Sequence, residues 1–105
     1  MNIELIKGPL ILKITPNENT STCISVRLTL SEYLIVEKLI DSQGTHISKR
    51  ELIETGWPHC IVCDNALNMV IMSLRRKLAS IDKTIEINTI QRFGYSLNVV
   101  QTEDP

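Results

Sequence analysis

Apolar residues at Leu67, Val70, Ile71, Leu74 and Leu78 recur at three- and four-residue intervals, the spacing that stacks side chains on one face of a helix. The spacing predicts a helix over Asp64–Leu78. At roughly 100° per residue, the face opposite this stripe carries Asn65, Met69, Met72 and Arg76, flanked by Asn68, Ser73 and Arg75. It offers amides, thioethers and guanidinium groups, with no carboxylate after Asp64. Asp64 stands where an N-cap accepts from the free N–H groups of the first turn, and Arg75, Arg76 and Lys77 stand where the helix dipole favours cations.

Two shorter helices are predicted before it. Thr29-Leu-Ser-Glu32 has the form of a capping box, and Ile35, Val36, Leu39 and Ile40 keep helical spacing up to a stop at Asp41–Gly44, where Gly44 can take the left-handed conformation. Ser48-Lys-Arg-Glu51 repeats the capping pattern, followed by Leu52, Ile53 and a stop at Gly56, a helix of about two turns. Trp57–Cys63 reads as a loop in which Trp57 anchors the core between helices. Outside the helices the period is two. Ile3–Ile6 and Leu10–Ile14 are short apolar runs split by Gly8-Pro9 and closed by Pro16-Asn-Glu-Asn19, and Thr22–Leu28 alternates through Thr22, Ile24 and Val26, with room for a short fourth strand after it. Ala79–Lys83 reads as a linker. Ile85–Ile90 and Tyr95–Val100 form a predicted hairpin joined through Gln91-Arg-Phe-Gly94, with Gly94 as its permissive residue. The expectation is one α+β domain over residues 1–105: an antiparallel sheet (1–28), three helices (29–79) and a C-terminal hairpin (85–100). Two helices joined by a short loop, the second with a polar outer face, match a helix-turn-helix, and the hairpin would be its wing.

Length and composition narrow the class. A chain of 105 residues builds one core, and 43% hydrophobic with 22% charged residues is the composition of a folded protein. No apolar run is long enough to span a bilayer and no secretory signal opens the chain, so a soluble, cytoplasmic protein is expected. Three cysteines, an odd number, argue against a disulfide framework. The net charge of −1 works against strong sequence-independent affinity for DNA. From Asp64 to Gln101, however, Arg75, Arg76, Lys77, Lys83 and Arg92 outnumber Asp64, Asp82 and Glu86, so a nucleic-acid surface belongs in that half.

Other chemistry is thinly represented. His59-Cys60-Ile-Val-Cys63 contains a Cys-x-x-Cys pair, but structural zinc normally needs four ligands, and Cys23 and His46 are the remaining candidates. Buried or half-buried thiols in a loop are the favoured reading, with a redox switch as the alternative. Paired carboxylates, a Ser-His-Asp pattern and a Gly-rich phosphate loop are absent, so neither an enzyme, a cofactor nor a small-molecule substrate is expected. One tryptophan and one phenylalanine are too few for a single-strand stacking platform.

Leu28-Thr-x-x-Glu32, Ser48-x-x-x-Leu52, Trp57, Leu74-Arg-Arg-Lys-Leu78, Thr89 and Gly94-Tyr95-x-Leu97 together resemble the C-terminal winged helix-turn-helix domain of OmpR/PhoB-type transcription regulators. The resemblance covers nearly the whole chain. It implies a four-stranded N-terminal sheet, a third helix in the major groove of promoter DNA, a wing on the minor groove or phosphates, and a 57–63 loop facing RNA polymerase. DNA contacts are then expected from Asn65, Asn68, Met69, Met72, Ser73, Arg75 and Arg76, with Thr89, Gln91 and Arg92 on the wing. Response regulators usually carry Thr-x-Arg-Gly-x-Gly-Tyr in the wing. Thr89-Ile-Gln-Arg-Phe-Gly-Tyr95 instead resembles the ToxR/CadC-like branch, which would make this the cytoplasmic domain of an inner-membrane regulator.

Several positions depart from the family's habit. Asn65 stands where many relatives have arginine, Ser73 where another often points at bases, and Met69 and Met72 where polar or basic residues are common. Asparagine can pair with adenine, and methionine or serine can meet a thymine methyl or a phosphate, so A·T-rich readout is expected. Weak binding by a lone domain would be recovered through dimers or clustering on a membrane. The alternative is a protein-interaction module on the same fold, binding through its methionine-bearing face. Whether the cations of the third helix and the wing converge on one surface discriminates the two.

Overall fold

The computed structural model describes residues 2–15, 24–81 and 84–99. In chain order they form β1 (Asn2–Ile6), β2 (Ile11–Thr15), β3 (Ile24–Arg27), α1 (Leu30–Asp41), β4 (Ile47–Ser48), α2 (Lys49–Gly56), α3 (Asp64–Ile81), β5 (Ile85–Ile90) and β6 (Gly94–Val99). Thr22, Cys23, Asp82, Lys83 and Val100, along with the Pro16–Asn19 turn, lie outside the described residues.

The helix starts follow the capping logic. At α1 both halves of the box are made: the Glu32 N–H donates to Thr29 Oγ1 at 3.2 Å and the Thr29 N–H donates to Glu32 Oε1 at 2.8 Å. Gly44, past the end of α1, has φ +82. At α2 only half the box forms. The Glu51 N–H donates to Ser48 Oγ at 3.1 Å, but Ser48 is a strand residue paired with Gly94, and the Glu51 carboxylate turns to Lys38 of α1 at 3.2 Å. Gly56 closes α2 against α1, where an added Cβ would come within 2.7 Å of Ile35 Cδ1.

The helix predicted over Asp64–Leu78 forms and runs on through Ile81, where a linker was expected. Ile81 explains the extension, since it continues the Ile71, Leu74, Leu78 stripe and packs against the core. Asp64 is the first residue of α3 rather than its cap, and the carbonyl of Cys63 accepts the Ala66 N–H at 3.0 Å.

The strands are antiparallel throughout. β1, β2 and β3 form one sheet, with Leu5 opposite Leu12 and Leu12 opposite Val26, and Leu12 and Ile14 are fully buried. The additional strand is not beside them among the described residues. It is β4, between α1 and α2, and it pairs with β6 to give a second sheet in the order β4-β6-β5. The wing is therefore the outer part of a three-stranded sheet, and a third strand stabilises what would be marginal as a lone hairpin. Tyr33, Ile35, Val36 and Leu39 of α1 meet Leu67, Ile71, Leu74 and Leu78 of α3 in a core closed by Ile85, Ile87 and Leu97 of the second sheet. Trp57, half-buried, packs against this core as its sequence position suggested.

Candidate nucleic-acid interface

The wing turns at Gln91-Arg92-Phe93, where the Phe93 N–H donates to the Ile90 carbonyl at 3.0 Å. The left-handed residue is Arg92, with φ 63, and not Gly94 as the sequence suggested. Gly94 is a glycine for a different reason. A Cβ there would lie 1.9 Å from the carbonyl oxygen of Ile47, so β4 can approach β6 only if position 94 has no side chain.

One cross-strand pair fastens the wing to α3. Thr89 and Tyr95 lie opposite each other in the β5–β6 register and so share a face. Thr89 Oγ1 accepts from Arg75 Nη2 at 2.7 Å, and Tyr95 donates its hydroxyl hydrogen to Asn68 Oδ1 at 3.0 Å. Arg75 also donates through Nε to the Ile87 carbonyl at 3.0 Å, and its guanidinium lies 5.9 Å from the Tyr95 ring centroid, within cation–π range. Asn68 and Arg75 are two helical turns apart, so the clasp grips α3 at two points and sets the angle of the hairpin.

A second polar cluster joins α3 to α1. Glu32 is 3% exposed, and its carboxylate accepts from Lys77 Nζ at 2.6 Å and from the Ser73 hydroxyl as well as from the Thr29 N–H. Lys77 also donates to the Arg27 carbonyl at 3.2 Å. Burial alone would raise the Glu32 pKa, but hydrogen bonds from Lys77, Ser73 and Thr29, with the Lys77 charge, outweigh it and hold the carboxyl below its ordinary value.

These two clusters sort the residues expected at the interface. Asn68, Arg75 and Thr89 are exposed but occupied in the clasp, and Ser73 is half-buried and directed at Glu32. Asn65, Met69, Met72, Arg76, Gln91 and Arg92 are exposed, and none makes a side-chain hydrogen bond or ion pair among the described residues. Tyr95 and Glu32 are the residues whose site roles sequence reasoning missed. For Glu32 a clue existed, since Ser73 and Lys77 sit four apart on the flank of the α3 stripe and present one polar patch toward a partner. Phe93, at the wing turn, is 46% exposed and lies 6.4 Å from the His46 ring, centroid to centroid.

The Cys-x-x-Cys thiols, Cys60 and Cys63, are free and exposed rather than buried or half-buried, because neither packs against the core. Among the described residues no three His, Cys, Asp or Glu side chains come together in a way that could hold a metal ion. No helix there is long and apolar enough to cross a membrane.

Comparison with known proteins places this geometry. Residues 24–97 match the family model described as "Transcriptional regulatory protein, C terminal". The transcriptional regulatory protein DltR of Streptococcus agalactiae is 35% identical over 95 residues, covering 90% of this chain and 42% of DltR. The chain thus spans less than half the length of that relative. Among solved structures, the DNA-binding domain of the response regulator AdeR, in complex with an intercistronic region, superposes with a TM-score of 0.74 at 25% identity, covering 93% of this chain and 95% of that one. The DNA-binding domain of E. coli CadC superposes with a TM-score of 0.67 at 25% identity, covering 83% and 78%. Helix order, hairpin position and family match agree: the chain belongs to the C-terminal domain family of OmpR/PhoB-type transcriptional regulatory proteins.

Proposed function

We propose that this chain binds double-stranded promoter DNA, with the outer face of α3 in the major groove and the wing turn on the minor groove or adjacent phosphates. The observation that carries the proposal is the clasp. It holds the hairpin alongside α3 through Thr89 and Tyr95, leaves the Asn65, Met69, Met72 and Arg76 face uncovered, and lets the 91–93 turn project past the clasped pair. Arg92 adds support. A non-glycine residue held at φ 63 costs about 1 kcal/mol or more in backbone preference, and its guanidinium has no partner among the described residues, as a phosphate-seeking side chain would not.

Affinity should be modest. Lys77 is neutralised by Glu32, so among the described residues of α3 and the wing turn Arg75, Arg76 and Arg92 carry the unneutralised positive charge, Arg75 with two of its donors already spent on the Ile87 carbonyl and Thr89. Two copies on neighbouring half-sites would offset that, and the 57–63 loop is proposed to face RNA polymerase. There Ile61 is fully exposed beside a groove of about 440 Å³ lined by α2 and the loop. Such a task belongs in the cytoplasm, whether or not the parent regulator is anchored in the inner membrane.

The test is an amide-shift titration of the chain with an A·T-rich duplex at low and moderate salt. Shifts confined to residues 65–76 and 89–92, weakening as salt rises, are the expected result. Arg76→Ala should weaken binding to all sequences alike and lower the salt slope by about one. An absence of shifts at low salt rejects the proposal and favours a protein-interaction module.

Arg92→Gly separates structure from binding at the wing. Relief of the left-handed strain and the greater freedom of the unfolded glycine nearly offset each other, about 1 kcal/mol apiece, so the melting temperature should hold or rise by a few degrees. DNA affinity should nevertheless fall. Unfolding at a markedly lower temperature would mean that Arg92 serves the fold.

A further inference from the structure

We infer that Met69 and Met72 read thymine methyl groups, and that the base pairs under the centre of α3 are therefore A·T pairs with the methyl side toward the helix. This rests on the proposed groove docking and names the sequence class it selects. Met69 is 60% exposed and Met72 is 55% exposed, and neither packs against the core. Three residues apart on α3, they are neighbours on one face, between Asn65 one turn before Met69 and Arg76 one turn after Met72.

The chemistry of the groove narrows what two thioethers can meet. A thioether donates no hydrogen bond, so the N7 and O6 acceptors offer it nothing, and its sulfur accepts only weakly, so the N6 and N4 donors offer it little. The apolar feature of the major groove is the C5 methyl of thymine. Groups that would favour G·C pairs are missing from the centre of this face. Arg75, the guanidinium next in line for guanine, is tied to Ile87 and Thr89, and Ser73 and Lys77 are tied to Glu32. No carboxylate that could accept from cytosine follows Asp64 on α3. Asn65 can pair bidentately with adenine, so the beginning of the helix points the same way.

The experiment selects bound duplexes from a pool with a randomised core, using the 105-residue chain, then resynthesises the selected duplex with deoxyuridine in place of single thymidines. Uracil keeps the pairing edge and removes only the methyl. We expect A·T-rich selected cores and, at the thymines under the methionines, about a fourfold loss of affinity per methyl removed. The Met69→Ala/Met72→Ala variant should bind the thymidine duplex as weakly as the unaltered chain binds the deoxyuridine duplex, and should no longer distinguish them. Both side chains are exposed, so this variant keeps the fold. Arg76→Ala should lose affinity equally on both duplexes. Firm binding without dependence on any thymine methyl, or selected cores rich in G·C, overturns this inference while leaving groove docking intact. No retained duplex at low salt rejects both.

Discussion

Gly94→Ala is expected to destabilise the protein by about 3 kcal/mol or more, lowering the melting temperature by roughly 12 °C or more. The added methyl would lie 1.9 Å from the Ile47 carbonyl oxygen and 2.9 Å from the carbonyl carbons of Ile47 and Ser48. All three are backbone atoms, so no rotamer change relieves the overlap and β4 must leave β6. Ser48 caps α2 and the Lys49 N–H donates to the Phe93 carbonyl at 3.0 Å, so the disturbance should reach the start of α2 and the wing turn together. Thermal unfolding with amide-shift mapping checks both magnitude and location. Gly8→Ala is the control, because nothing lies within 4 Å of an added Cβ there, and it should melt near the parent temperature. A Gly94→Ala variant that melts with the control would show that β4 is not pinned to the wing.

Glu32→Ala carries the second large effect, about 2–3 kcal/mol, or roughly 10–20 °C in melting temperature. The substitution removes the reciprocal half of the α1 capping box, leaves the Ser73 hydroxyl without its acceptor and strips Lys77 of its counter-charge. Lys77 is 28% exposed and can recover some hydration, so the figure stays below that for a fully buried pair. The acid limb of the stability curve supplies a separate check. The folded state holds the Glu32 pKa below its unfolded value of about 4.3, so the associated stability is present above that pH and is lost as pH falls through the folded value. Glu32→Gln should flatten that limb, since nothing remains to protonate at position 32. An unchanged acid limb would assign the pH dependence to other carboxylates.

Among the residues expected to touch DNA, periodicity correctly located the side of α3 that faces out, yet it could not separate a free side chain from an occupied one. Asn68 and Arg75 lie on the outward half of the helix, and so does Arg76. The first two face Tyr95 and Thr89, 27 and 14 residues away in sequence, and are held by them, whereas Arg76 meets nothing described. Met69 and Met72, on the same outward half, are 60% and 55% exposed. Glu32 was legible as a cap because capping is a contact over three residues, but its bonds to Ser73 and Lys77 span more than forty.

What the sequence determined by itself is what local physics controls. Helix periods, the Thr29 cap, the Gly44 stop and the apolar faces of α1 and α3 each depend on neighbours within a few positions, and each appears as expected. Tertiary structure decided the matters that depend on which surfaces meet. The placement of β4 beside β6 and the demand for glycine at position 94 follow from strands brought together across the fold. So does the division of the α3 polar face into a clasp and an open surface, because a hydrogen bond between distant residues forms only after the core has set the distance between them.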